Sequence, residues 1–570
     1  MITVKQTKKK FKFNIFIFFI FLVYLIIGLS IYKDYGISFD ENINRDNGFV
    51  SLKFIFEKIG INADLTKYSS NIPPLKDYID KEYGVVFDLP LAFLEFFFEI
   101  NNTRDAFLLR HLINFLVFFL SCCVFFILCN LVFKDNTLSL IGTLFLILSP
   151  RIFAESFYNP KDIVFMSLFI FAIFFNIKFL INKSYPSIIL AAFFSSLAIG
   201  LRIVGIYLPL VTLFFFLFNT DNVSIKSKIK ILFIFLSIFF VFLIFLWPLL
   251  WEDTFSNLLI AFYEFKNYPW EGEILYFGKF IKAEFAPWHY FFSWFLLTTP
   301  IIFSIIILMG AIYAFILFFK NLFQIEVIKN NNLWREDYEM QCIFFLMITI
   351  TPILSVIMFN STLYNGWRQL YFLYPSLILL GLFFLNFLKK INLKYYKIFM
   401  IIFLLQSFFN IYSIFKYHPH QQVYFNEDGH LLFSVAGTHN ISDVGTDAKL
   451  GLGQLKDTKR YQQAEMTFNK ARAKYNPKRT TAVGHSLGGS IASKLNADEI
   501  ITLDKGAEPF VKTRNNEKAY RTSGDIVSLF ASGGKNVKTL HKGGYDLTDP
   551  FSWYKAHNIS NIKDFKIGFN

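Results

Sequence analysis

Long apolar runs separated by short polar clusters fill the first three quarters of the chain. They fall at roughly 11–31, 109–133, 137–154, 162–181, 187–202, 204–218, 229–250, 292–319, 341–359, 369–388 and 396–415. Runs of this length suit helices that cross a bilayer, so about eleven spans are expected. The stretch 187–218 is the least regular, because two short spans meet at Arg202 and Gly205. Beyond residue 428 the pattern changes. LLFSVAG (431–437), EIITL (499–503), KAYRT (518–522) and VKTLH (537–541) read as strands. Residues 457–475 alternate as an amphipathic helix, and RTTAVGHSLGGSIASKL reads strand, sharp turn, helix. Strands alternating with helices predict an α/β domain. The expected organisation is therefore a polytopic helical membrane domain, 1–428, followed by a small α/β domain, 429–570.

The polar clusters orient the spans. With the N-terminus in the cytoplasm, the inner loops carry Lys134, Lys183, Lys226/Lys228/Lys230, Lys320/Lys329/Arg335 and Lys389/Lys390/Lys394/Lys397. All five are basic, as the positive-inside rule requires. An odd number of spans then places the C-terminal domain on the outer, periplasmic side. The first run follows Lys5, Lys8, Lys9, Lys10 and Lys12, lacks a small-residue cleavage site and leads into further spans, so it reads as an anchor and not a removable signal.

Composition sharpens the division. Of 77 Phe, 70 lie in the first 428 residues and 7 in the last 142. The front part holds 35 Lys+Arg against 29 Asp+Glu, and the tail 21 against 13. This composition excludes a disordered chain and an ordinary cytosolic enzyme. The net charge of +14 is explained by membrane topology, so no nucleic-acid partner is expected. All four Cys lie in apolar runs and read as small buried hydrophobes.

Candidate chemistry in the front part lies at the outer ends of spans. Asp40 and Glu41 follow the first span in GISFDENINRDNG, Arg110 and His111 open the second, and Glu155, Lys161 and Asp162 surround SFYNPKDI. Arg202 sits near the outer end of the fifth span and Arg368 opens the tenth in YNGWRQLYF. Taken singly, each also suits an ordinary interfacial anchor or helix cap. As a set they suggest an anion held beside a carboxylate pair, because ionisable groups at membrane depth are costly. A carboxylate facing an anionic leaving group suits glycosyl transfer from a lipid phosphate.

The Asp-Glu pair, the many-span layout, SPRIFAESFYNPKDI, YNGWRQLYFLYP and KYHPHQQVYFN resemble the GT-C glycosyltransferases over residues 11–426. The nearest branch is the family 39 group, with protein O-mannosyltransferases and lipid A aminoarabinose transferases. The resemblance implies Asp40 as catalytic base with Glu41 beside it, and a polyprenyl-phosphate sugar donor held by Arg110, Lys161, Arg202 and Arg368. Such enzymes work with or without a divalent ion. No ligand cluster here demands a metal, and no cofactor is required.

In the tail, Gly484-His485-Ser486-Leu487-Gly488 has the G-x-S-x-G pattern of a nucleophile elbow. With VAGTHNISDVGTD upstream and RTSGDIVSLF downstream, residues 431–562 resemble the class 3, or fungal-type, lipases of the α/β-hydrolase superfamily. That resemblance implies Ser486 as nucleophile, Asp525 as orienting acid, His557 as base, and Thr438 with the Leu487 N–H as oxyanion hole, acting on a lipid or acyl-ester substrate. Asp504 and His541 are the alternatives for acid and base. The tail is shorter than those lipases and lacks the strands that usually precede the oxyanion strand.

Three functions compete: an outer-face glycosyltransferase fused to a serine ester hydrolase; a membrane-anchored lipase whose spans are only an anchor; and a transporter or structural protein with an inert hydrolase remnant. A chance joining of two genes with one half inactive also fits the abrupt junction. Eleven spans exceed an anchor's needs, and no internal repeat suggests a transporter. The first reading is therefore preferred.

Overall fold

The computed structural model describes residues 15–38, 40–69, 72–219, 223–266, 272–277, 279–323, 334, 336–364, 366–421, 430–435, 449–450, 452–475, 477, 479–506, 513–522 and 537–540. The chain divides into two compact units, Met1–Tyr424 and Phe425–Asn570.

The first unit is built of helices. These are α1 (Ile15–Ile31), α2 (Glu41–Lys58), α3 (Asp88–Phe97), α4 (Thr103–Phe133), α5 (Asn136–Ile147), α6 (Pro150–Tyr158), α7 (Asp162–Asn182), α8 (Tyr185–Ile199), α9 (Tyr207–Phe218), α10 (Ile225–Leu246), α11 (Thr254–Lys266), α12 (Tyr290–Thr298), α13 (Ile301–Phe323), α14 (Asp337–Met358), α15 (Tyr374–Ile391) and α16 (Leu393–Lys416). A short antiparallel hairpin, β1 (Glu273–Tyr276) with β2 (Lys279–Lys282), is the exception. Among the described residues eight helices are long and apolar enough to cross a membrane: α1, α4, α7, α10, α13, α14, α15 and α16. In a bilayer such helices satisfy their backbone polar groups internally, which water cannot do there. The protein is thus a polytopic helical membrane protein.

The eleven expected runs are all helical but not all spans by length. α5 and α6 together form a ninth candidate, bent by 66° where Ser149-Pro150 interrupts the helix. α8 and the stretch Ile203–Phe218 are apolar but short. The run 292–319 is broken at Thr299-Pro300 into α12 and α13.

Packing relies on aromatic rings and close approaches. Phe115 of α4 stacks on Phe157 of α6 with centroids 5.0 Å apart, and Tyr35 stacks on the same Phe157 at 4.6 Å. α13 crosses α15 at Gly310, where a Cβ would lie 2.2 Å from the Leu380 carbonyl oxygen, so only glycine fits. Basic residues tie helix ends together. Lys134 and Lys183 cap α4 and α7 in the left-handed conformation, Lys228 donates to the Leu217 and Asn219 carbonyls, and Lys389 pairs with Asp135. Cations at exposed carbonyl ends complement the helix dipole.

Among the described residues of the second unit, five strands lie side by side in chain order, all parallel: β3 (His430–Val435), β4 (Arg479–His485), β5 (Glu499–Leu503), β6 (Glu517–Thr522) and β7 (Val537–Leu540). A helix, Lys459–Tyr475, joins the first pair, and Phe468 from it packs on Phe433. Leu455, Leu487, Ile491, Leu495 and Ile500 complete a small core.

Candidate functional site

The two candidate acids after α1 sit in different environments. Glu41 opens α2 and is 2 % exposed. One carboxylate oxygen accepts from the Ser38 N–H at 2.5 Å, and the other lies 2.8 Å from His111 Nε2. Asp40, one residue earlier, keeps 33 % of its side chain exposed and accepts from Arg368 Nη1 at 2.5 Å. Only Asp40 therefore presents a reachable carboxylate.

Around it the chain assembles a network of alternating charges. Arg368 lies 3.8 Å from Asp162 and over the Tyr364 ring. Arg202 pairs with the other oxygen of Asp162. Asn159 bridges Asp162 and Glu155, and Glu155 accepts from Arg151 at 2.9 Å and from the Tyr371 hydroxyl at 2.8 Å. Lys161 sits over the Tyr83 ring at 3.3 Å. Arg110 turns away from Asp40: it donates to Glu95 at 2.7 Å and Asp88 at 3.3 Å, and Glu95 also pairs with Arg45 at 2.8 Å.

Thus Arg202 and Arg368 share Asp162 beside Asp40, while Arg110 belongs to a neighbouring buried pair. Burial pushes the Asp88 carboxyl up to about 6 against the pull of Arg110 and Lys161. Burial, reinforced by the charge of Arg202, pushes Lys161 well below the usual ammonium range although Asp88, Asp80 and Asp162 oppose it. Among the described residues three guanidinium N–H groups are buried without a hydrogen-bond partner: Arg110 Nη2, Arg202 Nε and Arg368 Nε. Unpaired buried donors are costly unless a ligand meets them.

A cavity of about 450 Å³ adjoins the network, lined by Arg202, Tyr83, Glu82, Trp247, Tyr364 and Gln369 among others. Gly84 lets its loop reach α8: a Cβ there would lie 1.9 Å from the Gly200 oxygen. Arg151, Asp88, Glu95 and Arg45 were not singled out by sequence. Arg151 and Glu155 are four apart on one helix face, a spacing that signals a pair. Asp88 and Glu95 join the network only through the tertiary fold. Among the described residues no three His, Cys, Asp or Glu side chains are grouped to hold a metal.

The second unit places Ser486 at the turn between β4 and a helix, Leu487–Ala492. Its backbone is strained, with φ 55° and ψ −130°, a region costly for any side chain. The turn is held by Ser486 N–H donating to Leu503 O, and by the Ser490 and Gly506 N–H groups donating to Ser486 O. Small residues make it fit: a Cβ on Gly484 would lie 2.2 Å from Gly488 O. The Leu487 N–H begins the helix. Asp504 follows the adjacent strand β5, is fully buried, and lies one residue past the last register pair, His485 with Leu503, as Ser486 does on its own strand. Asp525, His557, Thr438 and His541 lie outside the described residues.

Compared with protein-family models and with curated proteins, the chain matches none.

Proposed function

We propose that the membrane unit is a GT-C-like glycosyltransferase that takes a sugar from a polyprenyl-phosphate donor. The observation that carries this reading is the reachable Asp40 carboxylate beside Arg368 and Arg202, each with an unspent buried N–H. Asp40 takes the proton of the acceptor hydroxyl as that oxygen attacks the anomeric carbon. Arg368 and Arg202 neutralise the departing phosphate, with Lys161 and Arg110 adding to the positive field. Arg368 is shared: as donor phosphate draws its guanidinium, Asp40 is freed to act as base. Glu41 holds the α2 start and His111. The site faces the outside and the C-terminal unit lies on the same side. The test uses sealed right-side-out vesicles given donor and acceptor externally. Asp40→Asn should lower transfer by about 10²–10⁴-fold, and external protease should remove the C-terminal unit. Undiminished transfer sinks the base assignment, and full protection sinks the orientation.

The C-terminal unit, in the same proposal, is a lipase-like serine ester hydrolase of α/β-hydrolase type. The strained Ser486 backbone between a parallel strand and a helix supports it, because that geometry lifts Oγ clear of the sheet. A hydroxyl is a weak nucleophile, so Ser486 requires His557 to take its proton and Asp525 to orient the ring. The Leu487 N–H and Thr438 receive the oxyanion. Full-length protein should react with a fluorophosphonate probe, and Ser486→Ala should remove the label. A folded protein that takes no label, or an equally labelled Ala variant, defeats this half.

A further inference from the structure

A second cavity, about 800 Å³, lies away from the charge network as an open groove between α16, the α12–α13 junction and Pro150. Along α16 its lining is Ile402, Leu405 and Phe409, and across from them stand Leu297, Ile301 and Ile302. Leu297, Ile301, Ile402, Leu405 and Phe409 are exposed, and all but Leu297 lie on α13 or α16, helices long enough to span, so a bilayer surrounds them. Ile402 lies near the middle of α16. From there to Tyr417 the groove runs about 22 Å at 1.5 Å per residue. Half of the roughly 30 Å hydrocarbon layer is about 15 Å. The groove thus covers the chains of one leaflet and the ester region above them, and does not extend through the second leaflet.

Most of the polar side chains gather towards the shallow end, at Asn410, Ser413, Tyr417, His420 and Gln421. Deeper in, Gln406 is committed to Asn410, donating to its Oδ1 at 2.8 Å, and the Thr298 hydroxyl donates to Trp294 O. Asn410 is 2 % exposed, and its Nδ2 has no hydrogen-bond partner. A buried amide donor left unpaired in this groove calls for an acceptor oxygen from an occupant. The segment past α16 is fixed in place: Tyr35 donates to Gln421 Oε1, Gln421 donates to the Ile414 carbonyl, and His418 pairs with Asp34. The shallow end is therefore preformed.

We infer that this groove binds one glycerophospholipid of the adjacent leaflet, with an acyl chain along Ile402–Phe409 and an ester oxygen on Asn410 Nδ2. The lining contains no Lys or Arg among the described residues. A phosphate monoester or diphosphate head would find no permanent cation there, only the His420 ring, whereas neutral ester oxygens match an amide. A polyprenyl chain is also longer than a one-leaflet groove. The inference stands apart from the glycosyl reading, since it concerns a different cavity and a different lipid.

The experiment uses the full chain in phosphatidylcholine vesicles carrying a little phosphatidylcholine with a diazirine at mid-chain. After illumination, cross-links should concentrate on peptides containing 297–302 and 402–410, several-fold above α10, whose Phe233, Val241 and Phe245 are equally exposed. Even labelling of α10 and the groove overturns the proposal, and needs no variant. Asn410→Leu with Leu405→Trp should cut groove labelling several-fold and leave α10 labelling unchanged. Unchanged groove labelling in that variant counts against the site. Excess polyprenyl phosphate should not displace the groove label; if it does, the groove belongs to that lipid and the assignment is wrong.

Discussion

At the Ser486 turn, consecutive residues supply a strand end, a strained serine and a helix start. Around Asp40 the partners come from positions 162, 202 and 368, and Glu41 reaches to 111. The first arrangement is fixed by local sterics: small residues at 484 and 488 leave the backbone one path. The second exists only when several helices of the membrane unit pack, and its charges stay buried because opposite charges meet them. A lone buried ion pair is weak evidence for stability, and removing one partner is strongly destabilising. The local site should therefore fail through geometry and the assembled one through charge.

Apart from loss of the proposed base, the largest expected effect separates the two. Gly484→Val places side-chain atoms where even a Cβ would lie 2.2 Å from a backbone oxygen. Forcing that contact costs about 1–3 kcal/mol or more and opens the strand–helix angle that presents Ser486. Fluorophosphonate labelling should fall by more than about tenfold, each 1.4 kcal/mol being a factor of ten, while sugar transfer by the same protein stays unchanged. Wild-type labelling of Gly484→Val would show that the turn is not what positions the serine.

A smaller effect distinguishes the neighbouring acids. Glu41→Gln keeps an acceptor for the Ser38 N–H but removes the negative charge facing His111. A weakened buried hydrogen bond of this kind costs about 1–3 kcal/mol. The full chain in detergent should unfold at lower temperature, with transfer per folded molecule within a few-fold of wild type. Asp40→Asn should do the reverse, with stability kept and transfer lost. An inactive, fully stable Glu41→Gln protein would exchange the two roles.

What was legible in the sequence follows the same line. Apolar runs located the membrane helices because burial in lipid demands continuous hydrocarbon. They misjudged span length where proline intervenes: Pro150 bends α5 against α6, and Pro300 parts α12 from α13. The strand–turn–helix at Ser486 was readable because its constraint is local. Of the four cations chosen for the network, Arg202 and Arg368 lie beside Asp40 through Asp162, whereas Arg110 serves Glu95 and Asp88. Nothing in the local sequence distinguishes these cases, because the partner acids lie on other elements, α3 and the start of α7, and the approach of α3 depends on contacts such as Gly84 against Gly200.

The smallest effect concerns Lys161. Burial and the neighbouring Arg202 charge press its ammonium below the ordinary lysine range, so it takes up a proton as pH falls through neutrality. A donor phosphate is anionic throughout that range, and each added positive charge favours it. Donor affinity should therefore rise as pH falls. Asp88, pushed up to about 6, loses its negative charge at still lower pH and extends the trend in the same direction. Arginine stays charged at every pH used. Lys161→Arg should accordingly remove the slope of donor affinity above neutrality and keep the residual slope near 6, with affinity at low pH within a few-fold of wild type. Titration calorimetry of the full chain with a polyprenyl-phosphate sugar, a phosphodiester that keeps one charge across this range, at several pH values measures both slopes. An unaltered slope above neutrality in the arginine variant would mean that Lys161 does not face the donor and that the Asp162–Arg202–Arg368 cluster holds the phosphate without it.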